Sequence, residues 1–344
     1  MAIIGVILGH SLTFRSETFP LISRLIEVGI FSFVIAVIPV FLFVSGFLGY
    51  RSFVKHRNTK EFLFTRAKRL LPSYLIWSTI YLTLTILFGN KIGLRADNRF
   101  FIISLKYIFG AAITPFYYLF VLFVFYLITP WLTKLDAQTL KKWFSPLSLI
   151  ALISASFFFF PYCYNKRFIP PDVAYRNPLF WLLFYVWGIY WAKKREQGEH
   201  FPWESPLNSS YIIFFSITYI IAFGVNIIIS SYNILGLNQL SPFVYPYYIA
   251  AVPFSLRISY LMSRNKNFEL SILKQFGLHS YGIYLSHYVI LILILFLFNS
   301  ILPYPVMRST LGRNFLGWLL GCAGVLSIVT FVEKMNRKLY KIIF

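Results

Sequence analysis

The chain has 344 residues, of which 58% are hydrophobic and 12% are charged, and its net charge is +21. Because a soluble domain carries about a quarter charged residues, this composition indicates an integral membrane protein. The positive charge does not predict a nucleic-acid partner, since the basic residues lie in short segments between apolar runs, as in proteins with several membrane spans. The two cysteines, Cys163 and Cys322, are too few for a disulfide framework or a zinc cluster.

Apolar runs predict an all-α fold of about ten transmembrane helices in a single integral membrane domain, residues 1–344. In chain order, the predicted spans lie at 1–14, 28–50, 70–88, 115–133, 143–162, 178–192, 211–230, 245–261, 276–298 and 313–332. A further apolar stretch, from Phe100 to Ile113, contains Lys106 and is more typical of an interfacial or re-entrant segment. Most of the basic residues fall in one set of alternate connecting segments, so we expect both termini to be cytoplasmic.

The first span contains His10 in an almost wholly apolar stretch. A titratable imidazole at lipid depth is costly, so it indicates a functional site. A helix from Met1 to Phe14 would rise only about 21 Å, whereas the hydrocarbon core is about 30 Å thick. We therefore expect either a chain that begins further upstream or an incomplete first helix.

Two features follow in the next segments. The pair Ser45 and Gly46 near the end of the second span favours close packing of two helix backbones, because both side chains are small. Arg66 and Arg69 are one helical turn apart, and planar guanidinium groups suit phosphate oxygens. The alternative for this basic segment is contact with anionic lipid headgroups.

The fourth span is rich in aromatic residues between Pro115 and Pro130. Its tyrosines either line a path for a carbohydrate or form an aromatic belt at the membrane interface. We favour the belt for Tyr117, and both interpretations stay open for Tyr118 and Tyr126.

A second imidazole, His287, lies near the middle of the ninth span. Tyr281, Tyr284 and His287 follow one another at intervals of three, so all three share one helix face, which should point into the bundle. The alternative is a histidine whose polar atoms are satisfied by an interhelical hydrogen bond. His279, at the cytoplasmic end of the same span, is more typical of an interfacial residue.

Four segments together resemble acyltransferase family 3, whose members are membrane proteins that acylate carbohydrates on bacterial cell surfaces. The segments are Gly9-His10-Ser11, Phe43-Val44-Ser45-Gly46-Phe47-Leu48, the pair Arg66 and Arg69 followed by Leu71-Pro72-x-Tyr74, and Ser280-Tyr281-Gly282-Ile283-Tyr284-Leu285-x-His287. The aromatic fourth span and Tyr245-Pro246-Tyr247-Tyr248 look most like the branch that acts on exopolysaccharides. The resemblance covers nearly the whole chain and implies a multi-pass protein of the bacterial cytoplasmic membrane.

The resemblance implies an acyl-CoA donor, acetyl-CoA or succinyl-CoA, on the cytoplasmic side and a sugar hydroxyl as the acceptor. It implies no permanently bound cofactor and no metal, and a polysaccharide synthase is a possible partner. The sequence departs from the family pattern twice. It supplies no basic residue upstream of His10, and it has Thr114-Pro115-Phe116-Tyr117 where many members carry a His-Leu-Trp-like motif.

These observations give the hypothesis of an O-acyltransferase that moves an acetyl or succinyl group onto a surface or exported polysaccharide. His10 is the expected general base, or it carries the acyl group transiently. Arg66 and Arg69 would bind the phosphates of coenzyme A. His287, Tyr284 and Tyr281 would orient the acceptor or polarise the thioester carbonyl.

The alternative from another class is an exporter or flippase that moves a polysaccharide or its precursor without a chemical step. Pro39 and Pro253 inside spans favour it, because broken helices mark transport sites. The sequence has no internal repeat and no Asp or Glu within the cores of the predicted spans, which argues against it.

Overall fold

The computed structural model describes residues 2–11, 34–56, 58–92, 100–143, 176–204, 210–231, 244–264, 271–301 and 310–344, with a few positions at 29–30 and between 145 and 154. Every regular element in these ranges is helical. The α-helices are α1 Ala2–Ser11, α2 Val37–His56, α3 Thr59–Ile92, α4 Phe100–Ile108, α5 Tyr117–Leu132, α6 Ala137–Trp143, α7 Leu179–Glu196, α8 Ser210–Ser231, α9 Tyr245–Arg264, α10 Ser271–Leu278, α11 Ser280–Ile301, α12 Thr310–Met335 and α13 Arg337–Ile343. Short 3-10 helices lie at Thr114–Phe116 and Pro202–Glu204.

The all-α prediction therefore holds for the described residues, and nine of the predicted spans coincide with helices there. The remaining predicted span, 143–162, lies largely outside the described residues. Four of the described helices are long and apolar enough to cross a membrane: Val37–His56, Thr59–Phe88, Thr114–Leu132 and Phe315–Met335. A fifth results if α10 and Ser280–Ile294 form one span bent by 88°. The number of spans and the side on which the termini lie stay predictions.

Helix α3 differs from its predicted span, 70–88, because it begins at Thr59. The hydropathy pattern detects only the apolar part of this helix, whereas the backbone hydrogen bonds continue through the charged residues before it. Arg66 and Arg69 lie inside this helix, one turn apart, as their spacing predicts.

The described residues fall into two compact units. The first unit comprises Met1–Val34, Ala67–Tyr117 and Leu270–Phe344. In it, α1 packs on α11 and α12. Ile3 and Ile7 form the buried face of α1, and the indole Nε1 of Trp318 donates a hydrogen bond to the carbonyl oxygen of Ile4 at 3.3 Å. This packing fixes the rotation of α1 and so the direction of its last turn.

The second unit comprises Ile35–Arg66 and Tyr118–Glu269, and its main contact joins α2 and α7. A Cβ added to Gly46 would lie 2.0 Å from the carbonyl oxygen of Tyr185, and one added to Gly188 would lie 2.0 Å from that of Phe43. Each glycine therefore admits the backbone of the other helix. The predicted packing role of the Ser45–Gly46 pair is confirmed.

Helix α6 of the second unit begins with a side-chain cap. The carboxylate of Asp136 accepts hydrogen bonds from the backbone N–H of Thr139 at 2.6 Å and from its hydroxyl at 2.9 Å. These hydrogen bonds hold the pKa of Asp136 below its usual value, because they favour the charged carboxylate. The backbone N–H of Thr139 has the larger effect and its hydroxyl the next. The cap fixes the start of α6 beside α7.

Candidate functional site

His10 lies in the last turn of α1, in the first unit. Its ring centroid is 5.3 Å from that of His287 on α11 and 5.5 Å from that of Tyr288, which it meets edge-on. His10 is partly exposed. The three side chains His10, His287 and Tyr288 are called the imidazole cluster below. The structure thus brings together the two histidines that the sequence placed at opposite ends of the chain.

His287 is 0% exposed, and its hydrogen bonds define its tautomer. Nδ1 lies 2.7 Å from the carbonyl oxygen of Tyr284 and 3.2 Å from that of Ile283. A carbonyl oxygen only accepts, so Nδ1 is the nitrogen that carries the proton. In the neutral ring, Nε2 then holds a lone pair. This buried Nε2 has no hydrogen-bond partner among the described residues.

Tyr81 of α3 supports the helix that carries the cluster. Its hydroxyl donates to the carbonyl oxygen of Leu285 at 2.8 Å and accepts a hydrogen bond from the backbone N–H of Val289 at 3.3 Å. The Tyr81 ring lies 6.4 Å from that of Tyr288. The backbone of α11 on both sides of His287 is therefore fixed to α3.

Tyr281 and Tyr284 lie on the predicted face of α11, but their hydroxyls point to backbone carbonyls. Tyr281 donates to the carbonyl oxygen of Leu70 at 2.9 Å, and Tyr284 donates to that of Pro115. The ring of Tyr284 stacks on Phe116 with 6.3 Å between centroids. Both tyrosines thus join α11 to its neighbours within the first unit, and a role for them in substrate binding stays a prediction.

His279 lies at the bend between α10 and α11, outside the imidazole cluster. It is 4% exposed, its Nδ1 is 2.9 Å from the hydroxyl of Tyr340, and its Nε2 is 3.5 Å from the carboxylate of Glu333. Both of its nitrogens therefore have partners, unlike those of His287. This difference assigns His279 to the packing of α11 against α12 and α13.

Three predicted site residues belong to the second unit. The guanidinium of Arg66 lies over the rings of Tyr126 and Phe62, 5.2 Å and 5.6 Å from their centroids, and donates to the carbonyl oxygen of Leu48 at 3.4 Å. Its buried Nε has no partner in the described part of the chain. The hydroxyl of Tyr118 is 2.9 Å from that of Ser45. Arg66 and Tyr126 thus form one cation–π group.

Arg69, the second member of the predicted pair, belongs to the first unit and is exposed. It has no ion-pair partner within the ranges that the structure describes. In the same ranges, no group of three or more His, Cys, Asp and Glu side chains is arranged to hold a metal ion.

Over residues 1–333 the sequence matches the family model of acyltransferase family 3, described as an acyltransferase domain. The chain belongs to acyltransferase family 3. No curated protein and no solved structure gave a significant match. The family resemblance of the sequence motifs is thereby confirmed, and the protein is a membrane acyltransferase.

In this family 3 acyltransferase, sequence reasoning missed Tyr288. The signal was present, because Tyr284 and Tyr288 are four residues apart and so share a helix face. The contact between Tyr288 and His10 has no sequence signal, since it depends on how α1 packs on α11. The cluster offers one partly exposed imidazole backed by one buried imidazole, which is an arrangement suited to proton transfer.

Proposed function

We propose that this membrane acyltransferase moves an acetyl or succinyl group from cytoplasmic acyl-CoA to a hydroxyl of a cell-surface or exported polysaccharide. The family supports acyl transfer. The observation that carries the proposal is the pairing of His10 with His287, because neutral imidazole is the usual base for removing a hydroxyl proton near pH 7.

His10 is the general base in this proposal. It takes the proton of the acceptor hydroxyl while the hydroxyl oxygen attacks the thioester carbonyl. The carbon–sulfur bond then breaks, and the proton on the imidazole passes to the departing sulfur, which leaves as the free thiol of coenzyme A. His10 is suited to this role because it is the partly exposed member of the pair.

His287 orients His10 in this proposal. It is fully buried, so the acceptor reaches it only through other groups. Its bare Nε2 accepts a hydrogen bond from the ring N–H of His10, directly or through one water, once the rings shift slightly. The second nitrogen of His10 then faces the hydroxyl, as in catalytic triads whose third member fixes the histidine tautomer. Neutral His287 has no free N–H for the thioester oxygen, which argues against the alternative of carbonyl polarisation.

The donor and acceptor sites are assigned by side-chain chemistry. Arg66 and Arg69 bind the phosphates of coenzyme A, since a guanidinium donates two parallel hydrogen bonds to phosphate. Stacking on Tyr126 and Phe62 orients the guanidinium of Arg66 before the donor arrives. Contacts with the sugar are proposed separately for Tyr118 and the ring edge of Tyr126 in the second unit, and for Tyr281 and Tyr284 in the first. We place the protein in the cytoplasmic membrane beside a polysaccharide synthase, in the exopolysaccharide branch of the family.

The test uses purified protein, radiolabelled acetyl-CoA or succinyl-CoA and an acceptor oligosaccharide, with free coenzyme A and labelled sugar as the two measurements. His10→Ala should lower both by about 100-fold to 10,000-fold, which is the range for loss of a general base. His200→Ala is the matched control, because its side chain is 85% exposed and its partners, Arg195 and Glu204, have no role in the proposed reaction. Wild-type acylation by the His10→Ala protein would contradict the mechanism.

The exporter alternative is separated by adding the same substrates to the protein reconstituted in vesicles. An exporter would move labelled oligosaccharide across a vesicle membrane without releasing coenzyme A. The family assignment favours the enzyme, because the matched family model describes an acyltransferase domain and not a transporter.

A further inference from the structure

A cavity of about 170 Å³ lies inside the second unit, where α6, α7 and α9 meet. It is lined by Leu140 and Lys141 of α6, by Leu183, Val186, Trp187 and Tyr190 of α7, and by Ile249 of α9. The α7 residues follow the helical repeat, so they form one face. None of the residues that line this cavity has a role in the proposed acyl transfer.

The inner wall of the cavity is hydrocarbon. Leu140, Leu183 and Val186 are 1%, 3% and 1% exposed, so they form a fixed apolar surface. Water against this wall would lack polar partners, whereas an alkyl chain would lie in contact with the leucine and valine side chains. The wall therefore suits an aliphatic chain.

One charged side chain, Lys141, lies at the edge of this apolar wall. It has no ion-pair partner in the described ranges. The neighbouring basic residues at the end of α7 are all engaged. Lys193 donates to the carbonyl oxygen of Thr133 at 2.8 Å, Lys194 pairs with Glu199 at 2.6 Å, and Arg195 pairs with Glu204 at 3.1 Å. Among the residues that line the cavity, Lys141 thus carries a positive charge that no described carboxylate neutralises.

The order of aromatic and basic residues on α7 favours a position of the cavity near the lipid headgroups. Trp187 and Tyr190 lie just before the basic end of α7, in the order that membrane helices show at the interface between hydrocarbon and water. An occupant with a chain among the leucines would have its polar group at Lys141. That group should be anionic, since Lys141 supplies the unpaired positive charge.

We propose that this cavity binds an anionic phospholipid, with one acyl chain between Leu183, Val186 and Ile249 and the phosphate at the ammonium of Lys141. The site is separate from acyl transfer and does not depend on the proposed reaction. Its ligand is a component of the membrane that holds the helices of the second unit together.

The experiment is native mass spectrometry of the detergent-purified full chain after incubation with phosphatidylglycerol or with phosphatidylcholine of the same chain length. The wild-type protein should retain phosphatidylglycerol in preference to phosphatidylcholine. Lys141→Ala should lower phosphatidylglycerol occupancy about fivefold, as loss of one lysine contact with an anionic lipid predicts. Lys142→Ala is the matched control, since it removes the same charge one residue later on α6 from a side chain that does not line the cavity.

A second variant, Ile249→Trp, fills the cavity and should lower retention of both lipids, because it removes the space for the chain. The thermal unfolding midpoint of each variant, measured without added lipid, shows whether the protein is folded. The proposal would be overturned if Lys141→Ala and Lys142→Ala lowered phosphatidylglycerol occupancy equally. It would also be overturned if the wild type retained phosphatidylglycerol and phosphatidylcholine equally. Displacement of the lipid by acetyl-CoA would also overturn it, because the occupant would then be the acyl donor. Acyl transfer is not measured, so failure here leaves the proposed function intact.

Discussion

The contact between α5 and α7 in the second unit and the imidazole cluster of the first unit differ in how their buried polar groups are paired. At the first, the Thr129 hydroxyl donates to the carbonyl oxygen of Phe125 at 2.7 Å, so the hydroxyl of Tyr185 donates to Thr129 at 2.6 Å. At the second, Nε2 of His287 is buried without a partner. An unpaired buried acceptor is costly, so Nε2 of His287 indicates a site kept for chemistry, whereas the hydroxyls of Thr129 and Tyr185 satisfy each other.

Replacing His287 should have the largest effect of the substitutions that test this comparison, and the quantity affected is kcat. His287→Leu should lower kcat by about 10-fold to 100-fold, as loss of a group that orients a catalytic histidine or ligand does. The KM for acyl-CoA should change little, since His287 is fully buried. The measurement is coenzyme A release at saturating donor.

His287→Gln is the matched variant, because its side-chain oxygen replaces Nε2 as a hydrogen-bond acceptor. It should recover part of the lost kcat if His287 acts by accepting a hydrogen bond from His10. Equal kcat values for the Leu and Gln variants would show that His287 only fills space.

The next effect concerns the second unit, where α2 packs on α7 at Tyr185. Gly46→Ala places a Cβ 2.0 Å from the carbonyl oxygen of Tyr185, so it should lower the free energy of unfolding by about 1–3 kcal/mol. The fixed carbonyl cannot move aside as a flexible side chain would. Thermal unfolding in detergent, followed by circular dichroism, measures the change.

Gly224→Ala on α8 is the control for this substitution, since a Cβ there meets nothing within 4 Å. It should leave stability unchanged or raise it slightly, because alanine favours a helix more than glycine does. Similar destabilisation by both variants would mean that the close approach of α2 and α7 does not limit stability.

The smallest effect is expected at Arg66. Arg66→Lys keeps the charge but loses the planar group that lies over Tyr126 and Phe62, so it should raise the KM for acyl-CoA about threefold to tenfold. Steady-state kinetics with varied acetyl-CoA measures it. Lys68→Ala removes a neighbouring exposed charge and should leave KM unchanged. If the KM for acyl-CoA rose more in Lys68→Ala than in Arg66→Lys, net charge alone would account for the binding of the donor.

Local patterns allowed several features to be predicted. The intervals among Tyr281, Tyr284 and His287 define one helix face without knowledge of any other helix. Gly46 was assigned to packing because it carries no side chain, and its contact with Tyr185 confirms this. The start of α3 at Thr59 was not predicted, since hydropathy follows the apolar residues and not the backbone hydrogen bonds.

The sequence by itself determined the membrane class, the helical fold and the family, because composition, apolar runs and motifs are properties of short segments. Only the tertiary structure decided that His10 lies against His287 and Tyr288, and that the guanidinium of Arg66 lies over Tyr126. The tautomer of His287 also came from the structure, through its contact with the Tyr284 carbonyl. Helical spacing fixes which residues of one helix share a face, whereas contacts between helices depend on packing that no single segment encodes.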